Sequence, residues 1–289
     1  MDSSYLTLIS FVILTIIYFA FPSVGKLKVT TQMLTEQQDN FSQWYILQNL
    51  PRLFVYFLFV IFFQFFFNSI FVINKCGGSA SKNIGVAALI TFIPWLLIFG
   101  MVVAVLLMFP GLKSAFSDVV GYFVVANGAN EILNSILVSG GDLETKIEGE
   151  TDGEEQKTLK NAAQAIMKLV GNKGILINQI VPENFEGVWA MLTPLMVPDF
   201  LKGDMPGFDQ EETKAKLLDL VVLRDNVGEA MWYIYTAVLL SSIVSYNLAT
   251  RGCVKDMEQM KASHDEYLQK EEELNKQQAL NDSVVYKVN

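Results

Sequence analysis

The chain has 289 residues, 52% of them hydrophobic before glycine is counted, and only 18% charged with a net charge of −9, against about 25% charged in a typical soluble domain. The apolar excess is concentrated in four uncharged runs, Tyr5 to Phe21, Leu53 to Ile73, Ile84 to Phe109 and Ala230 to Leu248, of 17, 21, 26 and 19 residues, and a bilayer core takes about 17 to 25 apolar residues per helix. The composition therefore reads as a multi-pass membrane protein, and it disfavours a soluble enzyme, a secreted disulfide scaffold and a basic nucleic-acid binder.

The first run is followed by Ser23-Val24-Gly25, which has the small-x-small form of a cleavage site. The only charge before the run is Asp2, whereas a signal peptide carries a basic leader, so a retained anchor is expected. Residues 23 to 52 read as a polar connector, with Phe41, Trp44, Tyr45, Ile46 and Leu47 approaching the membrane at its end. The second run holds nine phenylalanines, apolar enough to carry Gln64 and Asn68 into the bilayer, either as interhelical hydrogen-bonding groups or as tolerated polar residues. Only ten residues, 74 to 83, separate it from the third run, so the two form a tight hairpin. Pro94 lies inside the third run and predicts a kink.

Between the third and fourth runs lie residues 110 to 229, long enough for a small helical domain. Helical spacing runs from Phe116 to Leu137 and stops at Gly140-Gly141, with Asn127, Asn130, Glu131 and Asn134 arguing against a fifth span. Residues 142 to 157 carry seven acids against Lys146 and Lys157 and read as a solvated loop. Further helices are expected over 159 to 170, 185 to 196 and 211 to 223, the last opened by Asp209 and Glu212 at capping-box spacing.

In the fourth run Ala237, Ser241, Ser245 and Ala249 recur every four residues. They read as one helix-packing face, since small residues let two backbones approach closely in lipid, and Val244 is placed on a different face. Asp225 and Glu229, beside Arg224, stand one turn apart just before this run and read as capping and dipole compensation in preference to an ion-coupling site. Cys76 and Cys253 each follow a span and fall on the same side of the membrane, which permits a disulfide. The tail places Met257, Met260, His264, Tyr267, Leu274 and Asn281 near heptad positions, interrupted by Glu271 and Gln278.

The expected fold is an all-α membrane protein with four transmembrane helices. It comprises an anchor over 1–22, a connector over 23–52, a hairpin over 53–109, a helical extramembrane domain over 110–229, a transmembrane helix over 230–250 and a charged, helical C-terminal tail over 251–289. His264 is the sole histidine and there are two cysteines, so neither a metal cluster nor a Ser-His-Asp triad is expected, and no nucleotide-binding or nucleophile motif is present. No cofactor, small-molecule substrate, nucleic-acid partner or enzymatic activity is expected. Val120-Gly121-Tyr122 has part of the potassium-filter pattern but lacks its threonine and second glycine, and it fits better as a helix packing its aromatic face.

The segment Arg224 to Cys253, with Gly121 to Leu137 upstream, resembles a membrane protein type found in large icosahedral DNA viruses, notably the algal phycodnaviruses. The resemblance covers about 50 of the 289 residues and rests on Asn226, Gly228, Glu229, Trp232, Tyr233, Ser245, Tyr246, Asn247 and Cys253. It implies a structural minor capsid protein in the inner membrane of the virion, tying the lipid layer to capsid proteins above it. The alternative reading, an ion channel or secondary transporter subunit, is motivated by Gln64, Asn68, Pro94 and the Asp225/Glu229 pair.

Overall fold

The computed structural model describes residues 3–37, 40–76, 80–138, 173–253 and 257–284. The described residues are helical throughout apart from turns and one isolated antiparallel bridge, Leu137 to Met196. The glycine pair at 140–141, the acidic stretch over 142–157 and the helix expected over 159–170 lie outside the described residues.

The helices fall into two layers. The apolar layer is built from α1 (Ser3–Ala20), the greater part of α3 (Phe41–Cys76), α4 (Ala80–Pro94) with its continuation α5 (Gly100–Met108), and the second half of α11 (Gln210–Thr250). Among the described residues three helices are long and apolar enough to cross a membrane: Phe41–Cys76, Asn83–Met108 and Gln210–Thr250. The apolar helix Tyr5–Ala20 is shorter. It packs along the others nonetheless: Gln64 Nε2 donates to the Thr7 carbonyl (2.8 Å), Thr15 and Tyr56 hydroxyls meet at 2.8 Å, and Phe11 sits 5.5 Å from both Trp95 and Phe99. At Pro94, where the sequence predicts a kink, the α-helix gives way to a π turn over Trp95–Phe99. Proline supplies no backbone donor, and the widened turn absorbs the lost register while keeping both aromatic rings buried.

The second layer has its own core, closed by α2 (Thr31–Glu36), the start of α3, α7 (Tyr122–Ile136), α8 (Lys173–Gln179), α9 (Phe185–Leu192), α10 (Pro198–Lys202) and the first half of α11. Between α5 and α7 the chain makes a 3₁₀ turn (Pro110–Lys113), the single turn α6 (Ser114–Phe116) and a second π turn (Ser117–Gly121). The tail helix α12 (Met257–Val284) extends past this body, and every residue from 260 to 279 is exposed.

Two expectations about element boundaries are corrected. The latter part of the polar connector is helical, because α3 begins at Phe41 and runs through Pro51 into the apolar run. The helix expected over 211 to 223 does not end there. Asp209 caps it as expected, its side chain accepting from the Glu212 N–H at 2.9 Å, but the helix continues for 41 residues to Thr250. No glycine or proline stands at the join to stop it except Gly228, which is tolerated inside a helix where a neighbour must approach closely.

The small-residue face is also revised. Ala237 and Ser241 are buried, Ser245 is half-buried, and Ala249 is exposed, while Val244, assigned to another face, is buried with Leu240 and Leu248. A strict four-residue repeat drifts by about 40° per step on a helix of 3.6 residues per turn. After three steps the stripe has left the interface, which follows Ala237, Ser241, Val244 and Leu248 instead.

Candidate functional site

Where the two layers meet, four charged side chains converge inside the protein. Their positions follow from local backbone chemistry. After α1 the chain folds back sharply: the Gly25 N–H donates to the Phe21 carbonyl (2.8 Å) and the Lys26 N–H to the Tyr18 carbonyl (2.7 Å). A Cβ on Gly25 would stand 2.0 Å from the Tyr18 oxygen, so the small residue that mimics a cleavage site is required by this turn. Arg52 donates to the Pro22 and Gly25 carbonyls and holds the turn against α3. Lys113 arrives from the opposite direction, at the end of the 3₁₀ turn that Pro110 starts. Asp225 and Glu229 come from the middle of α11.

Glu229 is the hub. Its Oε2 accepts from Lys26 Nζ at 2.8 Å and lies 3.2 Å from Lys113 Nζ, and its Oε1 accepts from the Tyr233 hydroxyl at 2.8 Å. Lys26 also donates to Asn226 Oδ1 (2.7 Å) and rests over the Phe19 ring, and Lys113 donates to Asp225 Oδ2 (2.8 Å). Lys26 and Glu229 are buried and the other two are nearly so. Burial alone lowers a lysine's pKa. For Lys113 the carboxylates of Glu229 and Asp225 outweigh that burial, and the net displacement is upward, so it stays charged. Two lysines against two carboxylates leave the cluster neutral, the condition under which charges can leave water.

Beneath the charges lies a layer of aromatic side chains, in which Tyr56 stacks on Tyr18 at 4.5 Å and on Tyr233 at 6.0 Å. Asn49 links the layer to the turn after α1, donating to the Tyr18 hydroxyl (3.2 Å) and accepting from the Leu27 N–H (3.0 Å). The cavity beside the cluster, bordered by Tyr45, Asn49 and Glu183, holds about 40 Å³. That is room for a few waters, far below the roughly 300 to 1,000 Å³ of ligand pockets.

The capping reading of Asp225 and Glu229 is therefore corrected: neither is near a helix terminus, and both are ion-paired across elements. Arg224 points the other way. It is buried, donating through its guanidinium to the Ile177 and Ile180 carbonyls at the C-terminal end of α8, where a cation offsets unpaired carbonyls. Lys26 and Lys113 carry no motif, and sequence reasoning counts them merely as basic residues near the membrane. The four-span expectation places both on the same side as Asp225 and Glu229, and that shared side is the signal that could have found them.

The remaining candidates separate. Val120 and Gly121 close the π turn packed on α11, and Tyr122 opens α7. A Cβ on Gly121 would lie 2.6 Å from the Arg224 oxygen, and one on Gly228 would lie 2.7 Å from Ser117 Cβ, so the two glycines permit this crossing. Gln64 and Asn68 are buried and make interhelical hydrogen bonds, to Thr7 and to the Thr91 hydroxyl (3.0 Å). Cys76 and Cys253 are joined by a disulfide at the far end of the bundle, with Cα atoms 5.4 Å apart. Beside it Lys75 donates to the Leu248, Ala249 and Arg251 carbonyls and caps α11.

Among the described residues these features define an all-helical protein with three helices long and apolar enough to cross a membrane and a second helical layer with its own core. No protein-family model matches the chain, and comparison with curated proteins and with solved structures finds no match.

Proposed function

We propose that this protein is a structural component of a virion, a membrane-embedded minor capsid protein linking an internal viral lipid membrane to the capsid shell. In this reading all four apolar helices span the bilayer, and residues 110 to 229 face the shell while both termini lie on the other side. Its partners are the lipid bilayer and other capsid or membrane proteins.

The observation that carries the reading is the joint itself. One 41-residue helix, about 60 Å long at 1.5 Å per residue, belongs to both layers, and the Lys26–Glu229–Lys113–Asp225 cluster fastens the turns after α1 and α5 to its midpoint. A joint of this kind transmits force between a membrane and whatever the helical layer touches. The alternative, an ion channel or secondary transporter subunit, draws less support, because Gln64 and Asn68 already bond neighbouring helices and Asp225 and Glu229 are matched by lysines.

Quantitative mass spectrometry of purified particles tests the proposal. A fixed copy number relative to the main shell protein, with cross-links from residues 173 to 223 to shell proteins, is the expected result. Absence from particles overturns it, and ion flux through the protein in pure lipid vesicles would favour the alternative. Protease access to tags at Gly153 and Asn289 tests the four-span layout separately, since access from the same face contradicts it.

A further inference from the structure

The surface just beyond the third apolar run is not that of a water-exposed domain. Along the turns and helix from 109 to 124, Phe109, Leu112, Val119, Phe123 and Val124 are exposed, Phe123 at 85% and Val119 at 69%. One turn further along α7 the outward residues become Asn127, Glu131 and Asn134. The partner helix changes at the same height. Ser117 packs on Gly228, Gly121 on Arg224 and Gly128 on Leu220, so α7 runs antiparallel to α11. On α11 the outward residue Leu223 gives way to Asp219 and Lys216 level with Gly128.

The ridge is continuous with the apolar surface of the bundle. Phe116 packs edge-on against Trp232 (5.2 Å) and approaches Tyr235 (6.4 Å), the Trp232 indole donates to the Leu112 carbonyl, and Val238 and Leu239 continue the exposed face. From Leu223 to Leu248 is about 38 Å at 1.5 Å per residue, longer than the roughly 30 Å hydrocarbon core but within the 40 to 45 Å that includes the headgroup zone. At this height Lys26, Lys113, Asp225 and Glu229 are withdrawn from the surface and paired, Arg224 is buried against the Ile177 and Ile180 carbonyls, and the half-buried Asp118 accepts from the Ser117 hydroxyl, so that no charge on the ridge is fully exposed, as a lipid-facing collar demands.

From this we infer that residues 109–124, with Leu223, form an interfacial collar that inserts Leu112, Val119, Phe123 and Val124 into the headgroup and upper acyl region of the leaflet beneath the helical layer. The occupant of this ridge is lipid. The segment acts as a wedge in one leaflet, in the manner of an amphipathic helix lying in the interface. The inference rests on the membrane placement proposed above.

The test uses the full chain in phosphatidylcholine vesicles, with nitroxide labels placed singly by Phe123→Cys, Val119→Cys, Glu131→Cys and Leu239→Cys. The native cysteines are paired, so each label has one thiol to occupy, and all four positions are exposed, so little packing is lost. Relaxation by oxygen is compared with relaxation by a water-soluble nickel chelate. The logarithm of their ratio is expected to be positive at 119, 123 and 239 and negative at 131. A negative value at 119 and 123 with a positive one at 239 overturns the collar and leaves the spanning helix intact. Protection of 119 and 123 from both agents also overturns it, because a protein surface then covers the ridge. A negative value at 239 removes the membrane placement itself.

Discussion

At the end of the bundle that carries the helical layer, α11 is held by Glu229 and Asp225 against two lysines from distant turns, all withdrawn from solvent. At the other end it is held by one covalent bond, Cys76 to Cys253, and by Lys75 on its last carbonyls, and beyond that point the chain continues as the exposed helix α12. The first fastening is a network whose members depend on one another, since removing any one leaves a buried charge unmatched. The second is a clip and a cap that fail separately. The difference teaches that the two ends of the bundle are fastened to one helix by different chemistry, a buried ionic network at one end and a covalent clip with a carbonyl cap at the other.

The sharpest way to break this contrast is Glu229→Leu. It strands Lys26 and Lys113 together with no carboxylate but Asp225, and loss of one partner from a buried pair costs about 3 to 5 kcal/mol. Thermal unfolding in detergent should show that loss, whereas Lys28→Ala, which breaks the half-exposed Lys28–Asp219 pair, should cost under about 1 kcal/mol. Equal effects would mean the cluster is not the joint.

Gly228→Val comes next. Its Cβ would meet Ser117 Cβ and the Lys113 oxygen inside 3.0 Å, and forced separation of packed backbones costs about 3 kcal/mol at the upper end of overpacking effects. A melting temperature within error of wild type would show that the turns between α5 and α7 are not pinned to α11.

Replacing both cysteines by serine should cost about 2 kcal/mol in the same thermal unfolding, at the low end for disulfides because Lys75 still caps the helix. Glu229 and the end of α11 at Thr250, beside the disulfide, are about 32 Å apart at 1.5 Å per residue. The two losses should therefore add to within about 0.5 kcal/mol, and a larger coupling in a double-mutant cycle would show that the ends are not independent.

The smallest effects lie along the stripe. Ser241→Leu, at a buried position, should cost about 1 to 2 kcal/mol, and Ala249→Leu, at an exposed one, under about 0.5 kcal/mol. The same cost at both positions would restore the four-residue stripe as the packing face.

What the sequence determined by itself is what depends on near neighbours in the chain. The apolar runs are set by composition over some twenty residues, the Asp209 cap by a spacing of three, and the break in α-helical register at Pro94 by one missing donor. The tertiary structure decided what depends on partners far apart. Lys26 and Glu229 are 203 positions apart, and nothing in the neighbourhood of either residue distinguishes it from a solvated surface charge. The small-residue stripe departs from the interface because a four-residue repeat drifts around a helix of 3.6 residues per turn, and Val244 and Leu248 take the inner face. The length of α11 could not be read from its apolar run either. Helix continues wherever backbone hydrogen bonding and packing allow, and the change from polar to apolar at Ala230 marks a change of surroundings with no break in the backbone.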